Sequence, residues 1–138
     1  MEYTEKVAWL RRYRESLRRE QLLGEEIGQL EAQARRVTRA ISGMPGGRGD
    51  GQAIPRALER LEETRQKLAG LLEQDQAQRA EIEAAIQKEP IPLRRDILTR
   101  RYILGQRWEK IAAAHNRNLR WIFRIHRAAV EELAIESH

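Results

Sequence analysis

Apolar side chains recur along most of this chain at alternating steps of three and four residues, the period of one face of an α-helix. The pattern spans residues 4–41, where it is interrupted at Glu20, and returns over residues 54–88, where the steps form the regular seam of a coiled coil. Residues 42–52 separate the two stretches and contain five glycines and one proline, a composition that cannot continue a helix. Two long helices joined by so short a segment are predicted to form an antiparallel hairpin. The seams consist of Leu23, Ile27, Leu30, Ala34, Val37 and Ile41, and of Ile54, Leu58, Leu61, Leu68, Leu72, Ile82 and Ile86.

Three positions of the second seam are polar, namely Arg65, Asp75 and Arg79. Polar seam residues often fix the register or the choice of partner at a cost in stability. The alternative is that the seam is exposed to solvent at these points. The pattern alone leaves both interpretations open.

Beyond residue 89 the helices become shorter. Pro90 and Pro92 force an extended connection, because the residue before a proline avoids helical backbone. A third helix is predicted from about Leu93 to Leu104, and Gly105 is placed to end it as a left-handed C-cap.

The stretch from Trp108 to Leu133 predicts two further helices separated by a tight turn. The first runs to about Ala114, and Asn116 suits the turn because asparagine tolerates left-handed backbone. Asn118 suits the N-cap of the second helix, because its side-chain oxygen can accept a hydrogen bond from the free N–H groups of the first turn. This is the layout of a helix-turn-helix, in which the second helix enters the DNA major groove. Apolar or small residues at helical spacing give the two helices an inward face: Ile111, Ala112, Ile122, Ile125 and Ala129.

The predicted fold class is therefore all-α, with two domains. A long antiparallel coiled-coil helical hairpin occupies residues 1–89, with its loop at 42–52. A trihelical helix-turn-helix domain, the DNA-binding domain, occupies residues 90–138. Since a two-helix hairpin has little core, we expect it either to pack on the C-terminal domain or to self-associate as a homodimer.

Charge is concentrated in the predicted helix-turn-helix. Residues 107–127 contain six basic residues and one acidic residue, Glu109. The local balance of +5 equals the formal net charge of the whole chain, and the sequence pI is about 10.1. A basic face on one element is typical of a phosphate-binding surface, although a solvated helix face is the simpler alternative. The spacing of the two helices favours a surface that binds double-stranded DNA.

The candidate DNA-binding residues divide by their expected contacts. Arg120 and Arg124 are predicted to read base edges, because a guanidinium group binds guanine through two hydrogen bonds. Asn118 is expected to direct the helix N-terminus at a phosphate. Trp121 and Phe123 suit the core, a protein contact or apolar contact with thymine methyl groups. The residues predicted to contact phosphates are Arg107, Lys110, Arg117 and Arg127.

Composition argues against several other classes of protein. The chain has no cysteine, which excludes disulfides and thiolate chemistry and fits the cytoplasm. No apolar run approaches the roughly 20 residues that span a bilayer, and the N-terminus lacks the apolar core of a signal peptide. No Ser/His/Asp arrangement, zinc-protease spacing or P-loop is present. We therefore expect no enzyme activity, catalytic residue, cofactor, metal site or membrane association.

Three motifs in the C-terminal part resemble region 4 of sigma-70-type RNA polymerase sigma factors. They are RRYILG at 100–105, WEKIA at 108–112 and IHRA at 125–128. Residues 13–14, 42–47 and 81–86 are similar to segments of small proteins from phages and prophages of Gram-positive bacteria, the ArpU-like late-gene transcription regulators. The resemblance implies DNA binding and control of phage transcription in the cytoplasm of a bacterial host, with host RNA polymerase as a further partner. The chain departs from region 4 at His115 and Asn116, where a Leu-Gly pair is usual, and at Arg117, where an apolar residue is usual.

Two other functions compatible with these features remain as alternatives. In the first, the C-terminal domain grips a polymerase subunit, as an anti-sigma factor or adaptor does. In the second, the chain recognises DNA during phage packaging, as small terminase subunits do; these also join a helix-turn-helix to a coiled coil, and ring-shaped oligomers would be their mark.

Overall fold

The structure, a computed structural model, describes residues 1–42 and 53–136, and within these ranges every regular element is helical. The all-α class predicted from the sequence is thus confirmed for the described residues. The predicted glycine-rich loop at 42–52 lies, apart from Ser42, outside them. The elements in chain order are α1 (Tyr3–Ser42), α2 (Ala53–Gln87), α3 (Pro92–Leu98), a π-helical turn (Thr99–Ile103), α4 (Trp108–His115) and α5 (Leu119–Glu132).

Contacts between the helices divide the chain into two compact units. Unit 1 consists of Met1–Leu17 and Asp75–His138, and unit 2 consists of Arg18–Gln74. The sequence predicts a different division, between residues 89 and 90. The two divisions differ because the beginning of α1 and the end of α2 share a core with the C-terminal helices, and local periodicity carries no signal for that packing.

The main core of unit 1 joins residues that are far apart in the sequence. Leu10 of α1 and Ile82 of α2 are fully buried, as is Val130 of α5. Truncating a fully buried Leu or Ile to Ala typically costs about 2–5 kcal/mol, so these contacts are a large part of the stability of the unit. The buried members of this cluster are Trp9, Leu10, Ile82, Ala85, Ile86, Leu98, Tyr102, Ala129, Val130 and Leu133.

A second core cluster holds α3, α4 and α5 together. It consists of Ile97, Ile111, Ala112 and Ile122, each less than 9% exposed. The inward positions predicted for Ile111, Ala112 and Ile122 are confirmed. Ala112 is 6% exposed, and its small side chain suits a site where two helices approach closely.

Polar contacts fix the ends of these elements. Lys6 Nζ donates hydrogen bonds to the carbonyl oxygens of Glu131 (2.8 Å) and Leu133 (2.9 Å), and a cation there also complements the negative end of the α5 dipole. Arg94 of α3 forms an ion pair with Glu132 of α5. These bonds hold the last turn of α5 against two other helices.

The polar seam positions do not all behave alike. In unit 1, Asp75 is 4% exposed and Arg79 Nη1 donates to Ser16 Oγ at 2.9 Å, where Ser16 itself is fully buried. In unit 2, Arg65 is exposed and pairs with Glu31 at 2.8 Å. Buried polar contacts across helices restrict register, whereas exposed ion pairs contribute little stability. The exposed-seam interpretation is therefore confirmed at Arg65, whereas a role of Asp75 and Arg79 in fixing register stays a prediction.

Unit 2 has a thin core. Among its described residues only Leu61 is buried, at 6% exposure. The apolar seam residues of α1 in this unit, such as Ile27 and Leu30, are half-buried. Leu58, also in the seam, is 53% exposed. In the part of the chain that the structure describes, no helix is both long and apolar enough to cross a membrane.

Candidate functional site

The connection between α4 and α5 is a tight turn with a defined hydrogen-bond pattern. Asn116 adopts left-handed backbone, with φ 52° and ψ 46°. The Arg117 N–H donates to the Ala112 carbonyl (3.0 Å), and the Asn116 N–H donates to the Ala113 carbonyl (3.1 Å). This pair of bonds is a Schellman motif, which satisfies the last carbonyls of a helix. The predicted role of Asn116 is confirmed, and Arg117 does not disrupt the turn.

Asn118 caps the start of α5. Its backbone is extended, and its side-chain oxygen accepts a hydrogen bond from the Trp121 N–H at 2.9 Å. The predicted N-cap is thus confirmed. The turn and the cap together set the direction in which α5 leaves α4.

One face of α5 is buried and the opposite face is basic. Ile122, Ala129 and Val130 are fully buried, so the helix cannot rotate without opening the core. Residues four and three apart share a helix face, which places three exposed arginines together on the outer side. We call this surface the α5 arginine face; it consists of Arg120, Arg124 and Arg127.

The basic side chains differ in how far they are already engaged. Arg127 Nε donates to Glu131 at 2.9 Å, and its guanidinium lies 4.5 Å from the Tyr3 ring centroid. The Arg117 guanidinium lies 5.1 Å from the Trp121 ring centroid. By contrast, four exposed side chains form no hydrogen bond or ion pair within residues 1–42 and 53–136: Arg107, Lys110, Arg120 and Arg124.

The two aromatic residues at the start of α5 lie in different surroundings. Trp121 is half-buried against the second core cluster. Phe123 is 45% exposed, and its ring meets that of Trp108 edge-on at 5.3 Å between centroids. The sequence leaves three roles open for these two residues. A place in the core fits Trp121 but not Phe123.

His115 belongs to a polar contact between α3 and α4. Its Nε2 lies 2.6 Å from Asp96 Oδ2, and Asp96 also accepts from Arg100 Nε at 2.8 Å. Within the described ranges, no three acidic, histidine or cysteine side chains come together as a metal site would require. His115 therefore helps to position α4, the helix that leads into the turn.

His126 is buried on the inner side of α5. Its Nε2 lies 2.6 Å from the Tyr102 hydroxyl, and it is 4% exposed. Burial, together with the positive charges of Arg101 and Arg11, lowers the pKa of His126 to about 4. Burial likewise raises the pKa of Tyr102 to about 12. Both side chains are therefore neutral near pH 7.

This pair makes the stability of the protein depend on pH. The unfolded chain binds a proton at His126 below about pH 6.5, whereas the folded chain binds it only near pH 4. The stabilisation from neutral His126 is therefore complete above pH 6.5 and is lost as the pH falls toward 4, by up to about 3 kcal/mol. Urea unfolding at pH 7 and at pH 4.5 measures the loss.

The control for the pH experiment removes both partners. The variant Tyr102→Phe with His126→Leu has no titrating group at this place and leaves no unpaired polar atom. We expect its stability to fall less between the two pH values than that of the wild-type protein. An equal fall in both proteins would contradict the assignment.

Sequence reasoning missed an arginine-lined cleft beside α5. The cleft has a volume of about 350 Å³. In the sequence, Arg101 stands out only as part of the motif at 100–105, and Arg11 lies in α1, about 90 residues before that motif, where no local signal points to it. We call this the arginine cleft; its lining includes Tyr3, Arg11, Arg101, Trp108, Phe123 and Arg127.

Comparison of the chain with protein-family models, with curated proteins and with solved structures finds no match.

Proposed function

We propose that this protein binds double-stranded DNA through the α5 arginine face, with α4 and α5 acting as a helix-turn-helix. The observation that carries the proposal is the state of Arg120 and Arg124. Both are exposed, both lie on the outer face of a helix anchored by its inner face, and neither is engaged within the described chain. Arginines in this arrangement are available for guanine edges in the major groove.

Other candidate residues lie at or just before the starts of α4 and α5, where they extend the proposed DNA-binding surface. Arg107 precedes α4 and Lys110 lies in its first turn, both exposed. Arg117 and Asn118 precede α5 and are exposed as well. Cations and a helix N-terminus at such positions contact phosphates and fix the register of the recognition helix on the duplex. Base reading is thus assigned to Arg120 and Arg124, and positioning to their neighbours.

We further propose that the protein regulates transcription from phage or prophage DNA in a bacterial cell. This step rests on the resemblance of residues 100–105, 108–112 and 125–128 to sigma region 4. In the structure, these residues fall on the π-helical turn and its C-cap, on α4 and on α5. Host RNA polymerase is the further partner in this proposal.

Size-exclusion chromatography with light scattering tests the proposal. The protein is run alone, with a duplex from upstream of the neighbouring genes, and with a random duplex, at two salt concentrations. We expect a shift onto the upstream duplex that weakens steeply with salt, because bound phosphates release counterions. Failure to shift any duplex at low salt would refute DNA binding.

Phe123 favours a second candidate, a module that binds a polymerase subunit. Its ring is 45% exposed beside the basic surface, and exposed aromatic residues are enriched at protein interfaces. In this case the protein shifts neither duplex, and it comigrates with RNA polymerase in a further run to which the polymerase is added.

We also propose that unit 2 joins two copies of the chain. Its seam is incompletely covered, since only Leu61 is buried there among the described residues, and a second copy would cover the rest as coiled-coil partners do. A groove of about 520 Å³ lies in this unit, and its lining combines apolar and charged side chains: Leu58, Leu61 and Arg65 of α2 with Glu31, Ala34, Arg35, Thr38 and Arg39 of α1.

Replacing Leu58 by Gln tests the dimer. Burial of a leucine side chain contributes about 1.5 kcal/mol or more, so the dimer dissociation constant is expected to rise about tenfold, measured by sedimentation equilibrium. Leu22→Gln is the matched control, because Leu22 is 66% exposed and lies outside the seam. A monomeric wild-type protein, or equal effects of both substitutions, would contradict the proposed interface.

A further inference from the structure

We propose that the arginine cleft binds a backbone phosphate of the same duplex, so that the beginning of α1 is part of the DNA-binding surface. This inference rests on the proposed function. It adds Arg11, from the opposite end of the chain, to a surface otherwise built from α4, α5 and their turn.

The lining of the cleft suits an anion. Three arginines face it, and among residues 1–42 and 53–136 no acidic residue lines it. The one histidine in its wall, His126, is uncharged at neutral pH because burial lowers its pKa to about 4. The ligand chemistry that matches three guanidinium groups is a phosphate, which arginine binds through paired N–H donors.

Two of the three arginines are held in place by other contacts. Arg101 Nη1 donates to the Gln106 carbonyl at 3.0 Å, and its guanidinium lies 4.4 Å from the Trp108 ring centroid. Arg127 stacks on Tyr3 and donates through Nε to Glu131. A guanidinium has five N–H donors, so each retains donors for a ligand. Preorganised donors of this kind lose little conformational entropy on binding.

Arg11 is the third arginine of the cleft. It is exposed, and it forms no hydrogen bond or ion pair within the residues that the structure describes. It is nevertheless near enough for its charge to lower the pKa of His126 across the cleft. In the described part of the chain, only Arg127 of the three cations is paired with a carboxylate, that of Glu131, so a bound phosphate would offset the repulsion among them.

The location of the cleft identifies the source of the phosphate. Its wall includes Phe123 and Arg127 of α5 and Trp108, the first residue of α4. A helix in the major groove, which is about 12 Å wide, has a sugar-phosphate strand on each side. The cleft adjoins the α5 arginine face, where one of these strands would run. The DNA backbone is therefore the expected ligand rather than a small phosphate compound.

The test compares Arg11→Ala with Arg12→Ala by fluorescence anisotropy on a labelled duplex over a range of salt. Arg12 is the matched control, because it is the next residue of the same helix, is exposed and does not line the cleft. Each phosphate contact contributes about 0.9 to the slope of log affinity against log salt concentration. We expect Arg11→Ala to reduce the slope by about that amount, Arg11→Lys to preserve it, and Arg12→Ala to leave it unchanged.

The affinity loss for Arg11→Ala is expected to be similar on the upstream and random duplexes, because a phosphate contact carries no sequence information. If the wild-type protein binds DNA but Arg11→Ala keeps the wild-type slope, the cleft proposal is overturned and the proposed function stands. Equal losses for Arg11→Ala and Arg12→Ala would mean a general charge effect and would also overturn it. If the wild-type protein binds no duplex, both proposals fail together.

Discussion

Replacing Arg120 and Arg124 together by alanine is expected to reduce affinity for the specific DNA site by at least about 30-fold. Each bidentate contact with guanine contributes about 1–3 kcal/mol of discrimination, and two contacts at the lower limit give that factor. Both side chains are exposed and unengaged within the described residues, so their loss should not affect folding. Anisotropy titrations on the specific and random duplexes measure the change, and the loss should be smaller on the random duplex.

A charge-matched control separates base contacts from general electrostatics. Arg36→Ala with Arg60→Ala removes the same two positive charges from exposed positions of unit 2. We expect this variant to bind the specific duplex within a few-fold of the wild-type protein. If both double variants lose the same affinity, net charge alone governs binding and the assignment of Arg120 and Arg124 is wrong.

Gly105→Ala is expected to lower the free energy of unfolding by about 2–4 kcal/mol. Gly105 has φ +68°, a left-handed conformation that costs a residue with a Cβ about 1–2 kcal/mol. A Cβ there would also lie 2.6 Å from Arg14 Nε, in a side chain whose Nη1 donates to the Ile103 carbonyl at 3.2 Å. Displacing the Arg14 guanidinium would break this charge-assisted hydrogen bond, which accounts for the remaining loss in the free energy of unfolding. Urea unfolding at pH 7 measures the effect.

Two comparisons sharpen this prediction. Gly70→Ala, in the interior of α2 where an added Cβ has nothing within 4 Å, is expected to stabilise the helix by up to about 1 kcal/mol. In a double-mutant cycle, Gly105→Ala should cost less when Arg14 is already Ala, because the clash is gone. Additive effects of the two substitutions would show that Arg14 does not limit the space at Gly105.

Local features of this fold are well predicted from the sequence. The long helices begin and end within one or two residues of their predicted limits, because heptad spacing and flanking prolines and glycines are strong signals over such lengths. Asn116 and Asn118 have the predicted backbone and capping roles for the same reason. Such roles can be predicted from residue type alone, because they depend on local backbone preference and side-chain geometry and not on tertiary packing.

Features that depend on long-range packing could not be predicted in this way. The third helix was expected to continue to about Leu104, but it widens into a π-helical turn at Thr99. Leu104 then bonds to the Thr99 carbonyl, five residues back. The spacing of apolar residues does not reveal the one extra residue that a π-helical turn contains, because the helix before it is so short.

The candidate site shows the same limit. The arginines of α5 were found because they recur at helical spacing within eight residues. Arg11 was missed because it reaches the site only through the packing of Trp9 and Leu10 against the C-terminal helices. Likewise, the motif at 125–128 contains His126 but gives no sign of its pairing with Tyr102, which lies 24 residues away in the sequence.

The most direct test of the central claim is to map where DNA binds. A duplex is titrated into ¹⁵N-labelled protein while the backbone amide NMR signals are followed. We predict that the largest shifts fall in residues 117–124, at the turn and the first half of α5, with smaller shifts near Arg107 and Arg11. Shifts confined to unit 2, residues 18–74, or no shifts at duplex concentrations above those of the protein, would contradict the account.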